Sequence, residues 1–447
     1  MSERGLIAKQ AGTVLVGQVA VMAFGVTDTV VAGRFDQEAL AALSVGSAIY
    51  ISVYVTLMGL LQALLPILSE MHGANTHSAI GRALRQGLYL CAVCTLAGMW
   101  VLMHPGWVFE WTDVPPVMQD VVRQYLSTLA WALAPALLFR MFSTLNQSLG
   151  QPQWVTWIQV AGLALKIPLS IGLTFGWGGL GAQGVNGCAQ ATLVVNILMF
   201  VMALALLRRQ AFYKPYRIWQ AMERPHWPSL LEMLKIGVPN AISITVEVTS
   251  YTLMALFIAR LGNTASASHQ IVANLGALLY MVPLSLAIAT SARVSYWVGA
   301  QNFAHAQAAM RQGFALLLCV CSLLLLGIAL GREFIAHLYT RDVAVAELAS
   351  ELMAWLTWYQ AVDAFQVMCF FLLRCFRITL APLVVYTLLL WGVGLTGGYL
   401  LAYKGVLNWG PLQSPEAFWM TSSLALTGVA LGLGLLLHFA VQARAQR

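Results

Sequence analysis

The 447-residue chain is 60% hydrophobic and only 9% charged, with a mean hydropathy of +0.76. Soluble domains carry roughly 25% charged residues, so a chain this poor in charge cannot cover a water-facing surface and takes lipid as its solvent. The net charge of +7 comes from basic residues that are unevenly spread and form no stripe suited to nucleic acid.

A hydrocarbon core about 30 Å thick needs roughly 20 apolar residues per helix. Runs near 11–33, 40–69, 86–104, 122–142, 154–176 and 186–207 predict six spans. No small-residue cleavage site precedes mature-looking sequence, so the first run is expected to stay as a membrane helix. Cys91 and Cys94 in the third run form a CxxC without a second pair or a nearby histidine. They and the other five cysteines read as small packing residues.

A polar stretch from about Arg208 to Glu232 divides the chain near its middle, and its Lys214-Pro215, Pro225 and Pro228 read as a linker. Runs near 235–258, 268–296, 313–331, 350–373, 380–402 and 417–440 predict six further spans. The organisation expected is an N-terminal six-helix lobe over 1–207, a cytoplasmic linker over 208–234 and a C-terminal six-helix lobe over 235–447. The fold class is all-α integral membrane.

Lys and Arg orient such a bundle. One side holds both termini (Arg4, Lys9, Arg444, Arg447), Arg82, Arg85, Arg140, the basic linker, Arg293, Arg311, Arg374 and Arg377. The opposite side holds only Arg34, Arg123, Arg260, Arg332, Arg341 and Lys404. The asymmetry predicts cytoplasmic termini.

The halves repeat. A shift of 226 residues lays Arg34 on Arg260, Ala39 on Ala265, Gly73-Ala74 on Gly299-Ala300 and Arg85-Gln86-Gly87 on Arg311-Gln312-Gly313, without a gap. Parallel six-span repeats with a site between them are a transporter architecture. A duplicated channel or a membrane-embedded enzyme is the rival from another class.

Ionisable residues deep in a span are expensive and usually face a cavity. Asp28, Lys166, Glu247 and Asp363 stand out on spans 1, 5, 7 and 10. The repeat shift lays Glu247 on Val21, seven residues and two turns from Asp28, so both acids share one face of their helices. Tyr359 precedes Asp363 by one turn, and a second acid near that pair, naturally Glu247, would make a proton or Na⁺ site. Lys166 in mid-span suggests an internal pair with Asp28 or a proton-labile amine. Pro66, Pro168 and Pro239, with Gly392, Gly394, Gly397 and Gly398, are either hinges or tolerated kinks.

These residues are also familiar. Thr27-Asp28-Thr29-Val30-Val31-Ala32-Gly33, Gly59-Leu60-Leu61-Gln62-Ala63-Leu64-Leu65-Pro66 and Ile236-Gly237-Val238-Pro239 resemble the multidrug and toxic compound extrusion (MATE) transporters. So do Ser268-His269-Gln270-Ile271-Val272-Ala273-Asn274, Met281-Val282-Pro283-Leu284-Ser285-Leu286 and Asp363-Ala364-Phe365-Gln366, with the NorM-like branch nearest. The resemblance implies a V-shaped pair of six-helix lobes around a central cavity, alternating between inward and outward openings. It implies export of cationic or amphipathic compounds in exchange for Na⁺ or H⁺. Glu247, Tyr359 and Asp363 then match the coupling site, with Na⁺ at Glu247 and Asp363 as one option. Asp28 matches the acid of span 1, and Gln270 matches a glutamine lining the cavity.

One position departs. The family's span 5 pattern is similar to Asn-Ile-Pro-Leu-Asn, whereas this chain reads Lys166-Ile167-Pro168-Leu169-Ser170. An ammonium beside Asp28 would compete with Na⁺ or a cationic substrate there. Coupling is therefore expected to run through Glu247 and Asp363, with the first-lobe cavity of Asp28, Lys166 and Ser170 accepting a neutral or anionic group.

The expected function is a cation-coupled antiporter of small organic compounds, with no covalent chemistry and no cofactor besides the coupling ion. H⁺ is favoured over Na⁺ because Lys166 would repel a metal. The alternative is a flippase of a lipid-linked or amphipathic precursor, which would want basic residues lining its cavity. A monomer in a bacterial inner membrane is expected.

Overall fold

A computed structural model describes residues 2–106, 108–109, 115–176, 181–405 and 411–445, with the side chains of Val117 and Ala445 left aside. Arg447, counted above among the basic termini, lies outside these residues. The described residues contain twelve helices long and apolar enough to cross a membrane. Spans 1 to 6 are Glu3–Phe35, Gln37–Gly73, His77–Met103, Met118–Ser148, Pro152–Phe175 and Val185–Arg209. Spans 7 to 12 are Trp227–Ala259, Asn263–Gly299, Phe303–Tyr339, Val343–Cys375, Leu380–Tyr403 and Glu416–Arg444.

Each predicted apolar run lies within or across one of these helices, and several helices extend beyond it. Span 3 starts at His77, nine residues before its run, because its polar first turns have partners. Arg85 is 3% exposed and donates to the carbonyl of Arg217 at 2.7 Å and to Glu223 at 2.8 Å. Gln86 donates to the carbonyl of Arg224 and accepts from the backbone of His226. The linker, with a 3-10 turn over Ala211–Tyr216, is thereby fastened to span 3.

The chain packs as two compact units. One comprises Thr13–Ala241, and the other joins Met1–Gly12 to Ile242–Arg447. In the first, spans 2, 3 and 4 build a core around Leu61, Leu64, Ile80, Leu129 and Leu133. In the second, Met254, Ile258, Leu352, Leu356, Phe418 and Trp419 share a core. The segment Met1–Gly12 is held in its unit through Glu3, whose carboxylate accepts from Arg293 Nε at 2.7 Å and Trp297 Nε1 at 3.0 Å.

Two spans are interrupted. Span 2 breaks between Leu61 and Leu64, where Pro66 removes an N–H and crowds the carbonyl of Gln62. The Ala63 N–H turns to the Leu60 carbonyl at 3.3 Å, and the freed Gly59 carbonyl accepts from Asn240 Nδ2. Gly237 allows this approach, because a Cβ there would stand 2.6 Å from the Leu60 oxygen. Span 11 is π-helical over Thr387–Thr396, in the region of the predicted glycine cluster. Pro168 and Pro239, by contrast, lie inside continuous helices.

Candidate functional site

In the first unit, three helix faces converge on one ion pair. On span 5, Lys166, Ser170 and Thr174 recur at four-residue intervals and form one face, each 0% exposed. On span 6, Cys188 and Thr192 form the facing row. On span 1, Thr27 and Thr29 turn their hydroxyls back to the carbonyls of Ala23 and Gly25, leaving Asp28 as the group that reaches across.

Lys166 Nζ lies 2.8 Å from Asp28 Oδ1, 3.0 Å from the Cys188 carbonyl and 2.6 Å from Thr192 Oγ1. An ammonium has three N–H donors, and these three contacts use all of them. Ser170 Oγ donates to Asp28 Oδ1 at 3.1 Å. The predicted first-lobe residues are thus brought together as one satisfied cluster. Lys166 offers no basic group to a cavity, which removes the feature that would favour a flippase.

In the second unit, Asp363 on span 10 is 2% exposed. It is gripped from its own helix, where Gln366 Nε2 donates to Asp363 Oδ1 at 2.9 Å. The Gln366 oxygen in turn accepts from the hydroxyl of Tyr386, the last residue before the π-helical turn of span 11. A relay of phenol, amide and carboxylate therefore ends on Asp363. Glu247 on span 7 is half-buried and close enough to Asp363 for the charges to act on one another. Its carboxylate forms no hydrogen bond among the described residues, so one acid of the pair is held by a side-chain amide and the other is not.

The π-helical segment reaches the same place. Trp391 Nε1 donates to the carbonyl of Val246, next to Glu247, at 3.2 Å. π-helical turns concentrate at functional sites. Tyr359 shares the Asp363 face of span 10 and feels both acids electrostatically, but it makes no hydrogen bond to Asp363. Its ring packs edge-on against Trp419 at 5.6 Å. Gln270 is exposed and donates to Asn274 Oδ1 at 3.3 Å, apart from this relay.

Sequence reasoning missed the roles of Gln366 and Tyr386. The three-residue spacing from Asp363 to Gln366 was a usable signal; Tyr386 had none, since its reach depends on how span 11 packs. The basic-residue tally also misplaced Arg140. It lies eight residues inside the end of span 4 and is 7% exposed, so it is an interior charge rather than a loop charge.

Twelve apolar helices with ionisable groups in their interiors define a multi-pass membrane protein. Residues 14–171 and 239–400 match the MatE family. The chain is 37% identical over 436 residues, 97% of its length and 94% of its relative's, to "Probable multidrug resistance protein NorM" of Aromatoleum aromaticum. It is 33% identical over 453 residues to a protein of the same name from Chromobacterium violaceum, covering 100% of this chain and 95% of that one. The solved Vibrio cholerae MATE transporter VcmN shares the fold with a TM-score of 0.85 at 15% identity, covering 99% of this chain and 98% of its own. The chain belongs to the MatE family: it is a membrane transporter and not an enzyme.

Proposed function

We propose that the protein is an ion-coupled antiporter that exports small organic compounds, drugs among them, by alternating access. The relatives named for multidrug resistance support the substrate class. The observation that carries the coupling is the Glu247–Asp363 pair, two acids in mutual electrostatic reach, one held by Gln366 and one without a hydrogen bond among the described residues. Such a pair takes up an ion from one side and gives it up when a cationic or amphipathic substrate competes for the same charge.

H⁺ is the favoured coupling ion. The ammonium of Lys166, 2.8 Å from Asp28, keeps a metal ion out of the first unit, and Na⁺ at Glu247 and Asp363 is the remaining alternative. Tyr359 lines the coupling site and Gln270 the substrate path. The protein works as a monomer in a cell membrane, of a bacterial inner membrane type, with both termini in the cytoplasm. Purified protein in liposomes, given an imposed pH or Na⁺ gradient, tests this. The parent should drive efflux of a fluorescent organic cation under the pH gradient and Glu247→Gln should not. Equal efflux by both, or none under either gradient, would refute the assignment.

A further inference from the structure

The segment between spans 6 and 7 is a fixed platform with two dissimilar faces. A 3-10 turn repeats every three residues, so Tyr213 and Tyr216 point the same way from the turn over Ala211–Tyr216. Both are buried. Tyr213 donates to Asn146 Oδ1 at 2.6 Å, and the Tyr216 ring packs edge-on to His77 at 5.3 Å. The backbone comes so close to span 3 that a Cβ at Gly81 would strike the Tyr216 carbonyl. Further along, Tyr89 donates to the carbonyl of Glu223 at 2.7 Å. Glu223, the one acid between Arg209 and Trp227, turns to Arg85 and Arg82.

What remains exposed is basic and aromatic. Lys214, Arg217 and Arg224 stand out from the segment, and Arg208 and Arg209 from the end of span 6. Phe212, Trp219, Met222 and Trp227 are exposed among them, Trp219 at 50% and Trp227 at 69%. Such a concentration of large apolar side chains marks an interaction surface, and tryptophan collects where a chain leaves the hydrocarbon. Trp219 is pinned at that level. Its Nε1 donates to the Leu207 carbonyl at 3.2 Å, one of those that the last turn of a helix leaves open. Arg208, in the same turn, holds its guanidinium 4.8 Å from the centroid of the Trp219 ring. It makes no hydrogen bond and no ion pair among the described residues. A guanidinium stacked on a ring keeps its N–H edge for an oxyanion.

We propose that Arg208, stacked on Trp219, grips the phosphate of an anionic phospholipid in the leaflet around the ends of spans 6 and 7. The exposed bases and aromatics of the linker lie on that leaflet. A guanidinium fork takes two phosphate oxygens at once, and basic residues just outside a span are drawn to a negative leaflet. The indole beside the fork has its ring for the glycerol and upper acyl region and its N–H already satisfied. This site goes beyond the exporter reading and does not rest on it, since it shares no residue with the acids of the spans.

The test is equilibrium binding to the purified full chain in detergent, read by native mass spectrometry. The probes are dioctanoyl phosphatidylglycerol, dioctanoyl phosphatidylcholine and glycerol phosphate. The parent should bind the anionic lipid at least about tenfold more tightly than the zwitterionic one, the margin expected of hydrogen bonds to a charged group. Glycerol phosphate should bind far more weakly than either lipid. Arg208→Gln and Trp219→Ala should each reduce the preference about fivefold, the effect of one basic residue at an anionic surface. Arg311→Gln, at an exposed base in span 9, should leave it unchanged. A parent that binds both lipids alike overturns the proposal even where the variants fail to fold. So does glycerol phosphate binding as tightly as the anionic lipid, which would make this a site for free phosphates. An Arg208→Gln protein that keeps the full preference, or an Arg311→Gln protein that loses as much, overturns it too, since either would leave only diffuse surface charge.

Discussion

Lys166 and Asp28 meet at 2.8 Å with the ammonium fully enclosed, so the first unit carries its own cation. Removing one member of a buried pair strands the other and costs about 3–5 kcal/mol, whereas removing both costs much less. Lys166→Met and Asp28→Asn should each lower the thermal midpoint in detergent clearly. The double variant should lose less than the two single losses summed. A strictly additive double would mean that the pair is not coupled.

Function should follow the same contact. Lys166→Asn leaves Asp28 with the Ser170 hydroxyl and opens a place for an external cation. The expected result is a changed substrate range or a new sensitivity of efflux to Na⁺. Transport indistinguishable from the parent would show that the enclosed ammonium has no part in selectivity.

The relay onto Asp363 predicts a graded series. Asp363→Asn should abolish gradient-driven efflux. Gln366→Leu, which removes the donor to Asp363 and strands the Tyr386 hydroxyl, should slow efflux about tenfold, the effect of one charge-assisted bond. Tyr386→Phe should cost least. Initial efflux rates at matched protein density in liposomes give the order.

The linker carries the pH dependence that lies outside the membrane. The Arg85 hydrogen bond holds the Glu223 carboxyl below its ordinary range, with Arg82 at 3.4 Å assisting. A carboxyl depressed in the folded state stabilises above its unfolded value and loses that contribution as the pH falls through its folded value. The linker should therefore stay docked at neutral pH and loosen in acid, seen as amide hydrogen exchange across 217–223 that exceeds the intrinsic rate change with pH. Glu223→Gln should exchange faster than the parent at neutral pH.

Close backbone approach gives a packing test. A Cβ at Gly237 would stand 2.6 Å from the Leu60 oxygen, whereas one at Gly12 would meet nothing within 4 Å. Gly237→Ala should destabilise by about 1–3 kcal/mol through overpacking. Gly12→Ala should be neutral or slightly stabilising. Thermal midpoints in detergent compare them.

Much of this molecule was readable from its sequence, because lipid imposes a simple rule of apolar length. That rule locates all twelve helices but not their ends: His77, Arg82 and Arg85 are polar and still helical because the linker pairs with them. The break of span 2 was written in Pro66. The π-helical turn of span 11 was hinted at only by its glycines, since hydrogen-bond register leaves no mark on hydropathy. Lys166 declared itself as a charge where none belongs, and Asp28, buried in the same half, was its natural partner. Arg140 did not, because a basic residue near the end of an apolar run looks like a loop charge until the helix is seen to continue to Ser148.

The most direct measurement is ion release on substrate binding. Purified protein in weakly buffered detergent solution is titrated with a fluorescent organic cation such as ethidium, and the pH is followed. The parent should release H⁺ as the cation binds, and a Glu247→Gln, Asp363→Asn double variant should release none. Release of equal size from the double variant, or binding by the parent with no ion displaced, would contradict the coupling role of the two acids.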